Sequence, residues 1–472
     1  MKTKTEQTSR MSTEPMRRLM LSLGLPIVLS MMLQAVYNIV DSAYLSNMKE
    51  AGEEALTALG LAFPVQLFMV AVAIGTGVGT NALLAKSMGQ GNRGKANKVV
   101  GNAGFLGFVI SVIFLLFGLF GVPAYVESQN AGGNISAIVL EMAIDYLRIC
   151  CGISFGIVFF SVYEKILQAL GRSFYSTIAQ VAGAIVNIVL DPIMIYGWLG
   201  CPEFGVKGAA YATVIGQIVS AVLAFLFHIK LDAEIENRWK YLKPDGAIIK
   251  EIYAIGLPAI LSQALLTVMT YGLNIILGQL PKVGENAVTV YGLYCKIQQM
   301  ILFAAVGMRD AITPIVSFNF GMKNKKRIRE GIIWGLFFTG ILMAIGMIVI
   351  ELAASPLTKF FSLSDLSYYM CIDCIRIMSL AFLFAGLCIA FQGVFQGIEC
   401  GIESLLISLG RQVVFILPVA VFLGSFVTGG ENVALIWWTF LVGETLTLLC
   451  TLFMYRRAVK KKIGTWEDKR NE

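Results

Sequence analysis

Two stretches of the chain share one pattern and determine its fold. Residues 24–45 read GLPIVLSMMLQAVYNIVDSAYL, and residues 256–277 read GLPAILSQALLTVMTYGLNIIL. Each begins with Gly-Leu-Pro and continues as an apolar run long enough to cross a bilayer as a helix, which takes about 20 residues. The second opening follows the first by almost half the length of the chain. A spanning segment that recurs at this distance predicts a chain built from two related halves.

Other matched positions extend this repeat. The offset between the two openings, here called the longer offset, also relates Gly75 to Gly307 and Asn92 to Asn324. Farther along the chain a slightly shorter offset applies, and it relates Asp145 to Asp373 and Arg148 to Arg376. An even number of spans in each half gives both halves the same orientation, so they are related by a twofold axis along the membrane normal.

Composition gives the class of the protein. Of its 472 residues, 57% are hydrophobic and 14% are charged, and the mean hydropathy is +0.74. Soluble domains carry about 25% charged residues. The pattern predicts an all-α polytopic membrane protein with twelve transmembrane helices in two six-helix bundles. We expect the spans at 19–46, 55–86, 97–121, 139–167, 174–198, 206–229, 248–280, 285–318, 330–354, 366–395, 402–426 and 432–455.

Basic residues orient the chain in the membrane. Lysines and arginines cluster in both terminal tails, in the turn at 86–98, in the linker after the sixth span and in the run at 323–329. An excess of basic residues marks cytoplasmic loops, so both termini are expected in the cytoplasm. The predicted divisions are a tail at 1–18, a first lobe at 19–229, a linker at 230–247, a second lobe at 248–455 and a tail at 456–472. The net charge of +7 follows from this asymmetry and does not require nucleic-acid binding.

Two aspartates lie inside apolar spans, where a carboxylate is costly and usually functional. Asp41 is in VYNIVDSAYL and Asp191 is in NIVLDPIMIYG, each roughly 10 Å from the outer end of its span at a rise of about 1.5 Å per residue. Asn187 lies one turn before Asp191 on the same helix face, and Thr213 has a similar depth in the sixth span. The repeat places Leu273 and Val419 at the positions of the two aspartates, so this asymmetry indicates function rather than scaffold.

These four residues predict a site for a small cation or a proton. Oxygen ligands from Asp41, Asn187, Asp191 and Thr213 suit Na⁺, and a carboxylate pair that shares a desolvated site can instead hold a proton. The alternative is structural, with Asp191 only accepting hydrogen bonds that join membrane helices. No catalytic residue is predicted, since the one histidine, His228, ends an apolar span and is interpreted as interfacial.

Further residues of the first span are weaker candidates. Gln34, Tyr37 and Asn38 share a helix face with Asp41, so they either line a substrate cavity or pack between helices. Pro26 removes one helical hydrogen bond, which predicts either a fixed kink or a hinge.

Other charges in or near the spans lie outside the predicted site. Asp145 with Arg148, and Asp373 with Arg376, are interpreted as i,i+3 pairs that compensate each other, with an outer gate as the alternative. Lys296, Arg309 and Asp310 have no evident partner in the sequence, and the alternatives are that one of them pairs across the cleft or that Lys296 takes part in coupling in the second half.

The chain resembles the MATE (multidrug and toxic compound extrusion) transporters over nearly its whole length. The resemblance rests on the two Gly-Leu-Pro openings, YNIVDSAYL, AKSMGQGN with its match SFNFGMKN, and NIVLDPIMI followed by GAAYATVIG. It implies export of amphipathic, often cationic compounds in exchange for H⁺ or Na⁺ by alternating access. It also implies coupling at Asp41, Asn187, Asp191 and Thr213, and a bend at Pro26.

One departure concerns the second lobe. Members with a cation site there carry acidic residues midway along spans 7 and 10, where this chain reads ALLTVMTYG and FLFAGLCIAFQG. Coupling should therefore fall on Asp41 and Asp191.

Several alternatives to transport of drugs or metabolites have their own sequence requirements. A flippase for a lipid-linked precursor would line its cavity with basic residues, an enzyme would need a catalytic dyad or metal-ligand cluster, and an ATP-driven pump would need a Walker A motif. We expect no cofactor beyond the coupling ion, a small-molecule substrate, a lipid bilayer environment, a monomer, and a bacterial or archaeal-type plasma membrane as the location.

Overall fold

The computed structural model describes residues 6–46, 48, 52–129, 135–360, 365–430 and 432–464. Within them the regular structure is helical. The helices of the first half are α1 (Glu6–Thr13), α2 (Met16–Ser46), α3 (Gly52–Gly89), α4 (Arg93–Leu116), α5 (Val122–Ser128), α6 (Ala137–Gly152), α7 (Phe155–Ala169), α8 (Ser173–Tyr196) and α9 (Val206–Leu231). Those of the second half are α10 (Gly246–Gly278), α11 (Gly284–Gly321), α12 (Lys325–Phe360), α13 (Asp365–Ser379), α14 (Phe382–Gly397), α15 (Gly401–Leu409), α16 (Ile416–Gly424) and α17 (Ala434–Lys462).

The helix bounds confirm the internal repeat. Shifting α3 by the longer offset gives the bounds of α11, and shifting α8 by the shorter offset gives the start of α15 and the end of α16. The matched asparagines cap matched helices: Asn92 Oδ1 accepts from the Lys95 amide at 3.0 Å, and Asn324 Oδ1 accepts from the Arg327 amide at 3.1 Å. Such caps satisfy amides that have no partner within the helix. The repeat seen in the sequence is therefore also present in the helix bounds and caps of the two halves.

The helical, membrane-spanning class is confirmed, and the described residues contain ten spanning helices, or twelve if each of two bent pairs is one span. In the described residues, ten helices are long and apolar enough to cross a membrane, and two helix pairs supply the fourth and tenth spans. The pair α6 and α7 bends by 45°, and the pair α13 and α14 bends by 47°. The continuous helices predicted at 139–167 and 366–395 were therefore wrong in shape, because the backbone leaves the helical geometry at Ile153 (φ −117°, ψ 33°) and at the matching break before α14.

Two of the other spans each contain a π-helical turn. Phe117–Gly121 joins α4 to α5, and Gly410–Val414 joins α15 to α16. A π-turn adds one residue to the helical repeat and often occurs at functional sites. These two turns do not occupy matching positions in the two halves, so each marks a local departure from the repeat.

The chain forms two compact units. The first unit contains Leu33–Ile260 and the described residues up to Arg10. The second unit contains Met11–Met32 and the described residues from Leu261 onward. The divisions thus fall inside α2 and α10. The predicted lobe boundaries at 19–229 and 248–455 remain predictions, and parts of the terminal tails lie outside the described residues.

The second unit contains the start of α2, and the first unit contains the start of α10. A matched glycine packs against each of these two segments. In one unit, a side chain at Gly307 of α11 would come within 2.8 Å of the Val28 Cα in α2. In the other, a side chain at Gly75 of α3 would come within 2.8 Å of the Gly256 carbonyl oxygen in α10. Glycine is needed at both positions because the neighbouring helix leaves no space for a Cβ atom.

Buried charged residues beside the end of α9 hold the linker that follows this helix. Arg172 pairs with Asp232 at 2.5 Å, and Asp232 Oδ2 lies 2.7 Å from His228 Nδ1. His228 is fully buried, and its Nε2 lies 3.1 Å from Asn237 Oδ1. His228 lies in the last turn of α9, as the sequence predicted, and the linker buries it; its interfacial position remains a prediction.

Candidate functional site

The four predicted coupling residues lie on three helices of one unit. Asp41 is on α2, Asn187 and Asp191 are on α8, and Thr213 is on α9. The helices α2 and α8 are joined near their C-terminal ends by the Tyr196 hydroxyl on α8, which donates to the Tyr44 carbonyl of α2.

Close packing of α8 on α9 positions the polar groups. Gly183 and Gly216 face each other, and a side chain at Gly216 would come within 2.7 Å of the Gly183 carbonyl oxygen. The same side chain would lie 3.1 Å from the Asn187 Cβ. Small residues at a membrane helix interface let the backbones approach, which brings polar side chains on the two helices within hydrogen-bonding reach.

Asn187 connects α8 to α9 within this interface. Its amide nitrogen lies 3.3 Å from Asp191 Oδ1 and 3.4 Å from Thr213 Oγ1. Asn187 is 3% exposed and Asp191 is fully buried. The predicted polar contact between Asn187, Asp191 and Thr213 is present, and one amide nitrogen donates to both partners.

Three oxygen atoms of the group accept no hydrogen bond from the described residues. They are Asp41 Oδ1, Asn187 Oδ1 and Asp191 Oδ2, and all three are buried. Within the described part of the chain, neither aspartate forms an ion pair with a lysine, arginine or histidine. Buried acceptors without donors are costly, so the group is suited to a proton or a cation that supplies the missing interaction.

Asp41 is half-buried and lies close enough to Asp191 for the two charges to act on each other. Its charge also acts on Tyr146 and Cys150 of α6. Gln66 of α3 donates to the Tyr146 hydroxyl at 3.1 Å and contacts Cys150 Sγ at 3.6 Å. Two carboxylates in one low-dielectric environment cannot both carry a charge without compensation. The two carboxylates can therefore together bind and release one proton or one monovalent cation.

Sequence reasoning missed polar residues beside the predicted site. Gln66 and Tyr146 were not singled out, although a lone glutamine inside an apolar run could have been noticed. On α8, Thr177 and Gln180 continue the face of Asn187 at helical spacing, and Thr177 Oγ1 and Gln180 Oε1 are buried without a partner in the described residues.

The weaker candidates are placed as follows. Gln34 is half-buried, and its side-chain oxygen accepts from Gln180 Nε2 at 3.0 Å, so it joins α2 to α8. Tyr37 and Asn38 lie on α2, but their side chains are outside the described residues. Pro26 lies inside α2, which continues as one helix from Met16 to Ser46.

Two expectations about other charges are corrected. Asp145 Oδ2 pairs with Lys207 Nζ at 2.8 Å, and within the described residues neither Asp145 and Arg148 nor Asp373 and Arg376 forms an ion pair. Lys207 reaches Asp145 because α9 begins beside the middle of α6. In α11, the adjacent residues Arg309 and Asp310 pair at 2.9 Å.

Comparisons with known proteins agree with this architecture. The MatE family model matches residues 26–193 and 258–422, once in each half. The multidrug export protein MepA of Staphylococcus aureus (strain MRSA252) is 23% identical over 451 residues, covering 96% of both chains. It is a multidrug exporter by name, so the flippase alternative gains no support from it.

Solved structures show the same fold. A multidrug resistance MATE family transporter of the MOP superfamily in an outward-facing conformation has a TM-score of 0.87 at 26% identity, covering 98% of this chain and all of that one. A MATE crystal structure in complex with MaL6 has a TM-score of 0.88 at 25% identity and the same coverage. The resemblance inferred from the sequence is confirmed: this multi-pass membrane protein belongs to the MatE family of transporters, and it is not an enzyme.

Proposed function

We propose that this chain is a secondary antiporter that exports amphipathic, cationic drugs or metabolites in exchange for H⁺ or Na⁺. The exchange proceeds by alternating access and is coupled at Asp41, Asn187, Asp191 and Thr213. It requires no cofactor other than the coupling ion. The chain acts as a monomer in the plasma membrane, with both termini in the cytoplasm, as the distribution of basic residues indicates.

One observation carries the coupling proposal. Asp191 is fully buried, its Oδ1 is bonded by Asn187, and its Oδ2 has no donor among the described residues. A carboxylate that served only to join helices would have both oxygens satisfied, because an unpaired buried acceptor costs about 1–3 kcal/mol. An exchangeable proton or cation satisfies this oxygen in one state of the cycle and leaves it in the other.

The substrate class rests on chemistry and on relatives. MepA is named as a multidrug exporter, and a solved MATE relative binds the ligand MaL6. An antiporter needs its substrate and its coupling ion to compete for one state of the protein. A cationic substrate satisfies this requirement at an acidic site, because it and the coupling ion neutralise the same carboxylates. Gln34, Tyr37 and Asn38 are proposed to line the substrate cavity on the Asp41 face of α2.

Pro26 is proposed as the hinge of α2. Proline donates no amide hydrogen, so the Ser22 carbonyl one turn earlier has no helical partner. Hydroxyls on either side bond to carbonyls of the preceding turn, an arrangement that often bends helices: Ser22 Oγ bonds the Leu19 carbonyl at 3.0 Å, and Ser30 Oγ bonds the Ile27 carbonyl at 2.9 Å. A bend here moves the segment that carries Asp41 without breaking α2 at the site.

Reconstitution into liposomes tests the proposal. A Na⁺ gradient and a proton gradient are imposed separately, and efflux of a fluorescent lipophilic cation is followed. We expect wild-type protein to respond to one gradient and Asp41→Asn to lose that response. If Asp41→Asn responded as the wild type does under both gradients, the coupling assignment would be wrong.

A matched control removes a carboxylate outside the site. Asp145 pairs with Lys207 at a partly exposed position, and Asp145→Asn is expected to keep the gradient response. If wild-type protein moved no cationic dye under either gradient, the substrate assignment would be overturned instead.

A further inference from the structure

The second unit contains a buried ion pair at positions where the repeat has no charged residue in the first unit. Arg411 Nε lies 2.8 Å from Glu444 Oε2 and 3.1 Å from Oε1, and Arg411 Nη2 lies 2.9 Å from Oε1. Arg411 is 8% exposed and Glu444 is 3% exposed. The guanidinium fork therefore occupies both carboxylate oxygens, which is the strongest geometry available to such a pair.

Both charges lie deep in their spans. Arg411 is in the π-turn between α15 and α16, about 15 Å from the start of α15 at Gly401 by helical rise. Glu444 is about 15 Å from the start of α17 at Ala434. Half of a hydrocarbon core of about 30 Å is the same distance, so the pair lies near the bilayer centre, where a charged side chain usually has a function and a partner.

The repeat shows what the ion pair replaces. At the shorter offset, Arg411 corresponds to Gly183 and Glu444 to Gly216. Those glycines are the contact that packs α8 on α9, where a Cβ atom has no space. Where the first unit has two glycines and a continuous helix α8, the second unit has two opposite charges and a π-turn.

The coupling residues themselves are replaced by apolar ones. Asn187, Asp191 and Thr213 correspond to Phe415, Val419 and Leu441. The second unit thus retains a deep carboxylate, Glu444, at a neighbouring position, but this carboxylate differs from Asp191 in one respect. Asp191 has an oxygen with no donor among the described residues, whereas both oxygens of Glu444 are bonded by Arg411.

We propose that Arg411 is a tethered counter-cation for Glu444, which prevents this carboxylate from binding an exchangeable proton or Na⁺. The inference rests on the proposed function, because it explains why exchange is confined to the first unit. Among the described residues, the thiol of Cys388 on α14 and the phenol of Tyr294 on α11 also interact with Glu444, and neither is a cation. Arg411 alone among these groups compensates the charge.

The two single substitutions are expected to behave differently. Arginine cannot be deprotonated in a protein, so Glu444→Gln leaves a permanent charge without a partner at the bilayer centre and is expected to lower the yield of folded protein severely. A carboxylate can instead take up a proton when its partner is removed, so Arg411→Met is expected to be the milder change.

Proton counting on purified protein tests the proposal without any transport step. A pH indicator follows the protons taken up on a step from alkaline to acidic pH, in a background that carries Asp41→Asn. We expect Arg411→Met to take up about one more proton per chain than its parent, because Glu444 then titrates. Arg411→Lys keeps the cation and should take up no additional proton. A folded Arg411→Met protein with the parental count would overturn the proposal.

A double variant extends the test to transport. In Arg411→Met with Glu444→Met both charges are gone, and a buried ion pair can be replaced by apolar residues of similar size without loss of folding. We expect this variant to keep the gradient-driven efflux of the wild type within about twofold, since a neutral second unit is what the ion pair provides. If the folded double variant lost its gradient response, the pair would take part in the cycle itself and the proposal would be wrong.

These outcomes are separate from those that test the proposed function. The proton count is made in the Asp41→Asn background and requires no substrate or gradient. The proton count therefore still tests the role of Arg411 if Asp41 does not couple transport. A parental proton count in Arg411→Met would not contradict the assignment of Asp41.

Discussion

The Asn187 amide nitrogen lies 3.3 Å from Asp191 Oδ1, while Asp191 Oδ2 has no donor among the described residues. One oxygen of this fully buried carboxylate is thus fixed, and the other is available. Asn187 donates to this carboxylate and to Thr213 of α9, and as a neutral amide it does not compensate a charge on Asp191. The carboxylate therefore has one oxygen in a fixed position and one that can accept a proton or a small cation.

Replacing Asp191 with asparagine should abolish coupling and leave the fold intact. The substitution preserves shape and keeps an acceptor for the Asn187 amide, but it removes the charge that binds a proton or Na⁺. We expect gradient-driven dye efflux by Asp191→Asn to fall to the level of empty liposomes. Detergent-solubilised variant protein should still elute as the wild type does on size exclusion. Full transport by this variant would show that Asp191 only joins helices.

Thr213→Val should weaken coupling less than loss of a carboxylate does. Valine has the shape of threonine but cannot accept the hydrogen bond from Asn187, which spans 3.4 Å. Polar contacts between membrane helices contribute about 0.6 kcal/mol on average and up to about 1.7 kcal/mol. We therefore expect the ion concentration for half-maximal transport to rise severalfold, with the maximal rate retained. An unchanged ion dependence would remove Thr213 from the site.

The linker at the end of the first unit should respond to pH through Glu234. Burial raises the pKa of Glu234 above its usual value, and the nearby Arg172, 3.4 Å away, only partly opposes this. A carboxyl whose pKa is higher in the folded state than in the unfolded state favours folding when protonated. Docking of residues 230–247 should thus strengthen as the pH falls from neutral toward about 5, just above the usual range of glutamate.

Hydrogen exchange of the linker measures this effect, and Glu234→Gln is its control. The amide does not titrate, so protection in the variant should vary less with pH than in the wild type. Arg172 keeps its contact with Asp232 in both proteins. The same pH dependence in both would assign it to another group.

The fold could be predicted largely because membrane burial leaves a strong signal. Long apolar runs gave the spans, and matched glycines and asparagines gave the repeat, since each satisfies a local need for close approach or capping. The breaks at Ile153 and before Phe382 were missed because hydropathy continues across them. A bend of this kind involves few backbone angles and leaves the apolar composition unchanged.

The candidate site was predictable for a different reason, which is that an isolated carboxylate in an apolar helix is costly. The same reasoning should have found Arg411 and Glu444, which lie in two successive spans. They were missed because the resemblance directed the prediction for the second lobe to spans 7 and 10, and these two residues lie on later spans. The ion pair of Asp145 with Lys207 was also missed. The two residues are distant in sequence, and only the packing of α6 beside α9 brings Lys207 Nζ to 2.8 Å from Asp145 Oδ2.

Gly216→Val should destabilise the first unit by disrupting the contact of α8 with α9. The new side chain would meet the Gly183 carbonyl oxygen at 2.7 Å and the Asn187 Cβ at 3.1 Å, and backbone atoms cannot move aside cheaply. Overpacking of this kind costs about 1–3 kcal/mol. We expect a lower unfolding temperature and a weaker dependence of transport on the coupling ion, because Asn187 and Thr213 are moved apart.

Gly292→Ala is the matched control for this change. Gly292 also lies in a spanning helix, but nothing lies within 4 Å of a Cβ atom added there. Alanine should therefore be tolerated or slightly stabilising, by up to about 1 kcal/mol, since it lowers the entropy of the unfolded chain. Equal losses of thermal stability in both variants would mean that α8 and α9 do not depend on the contact between Gly183 and Gly216. A loss confined to Gly216→Val would tie the geometry of the Asn187 contacts to that glycine pair.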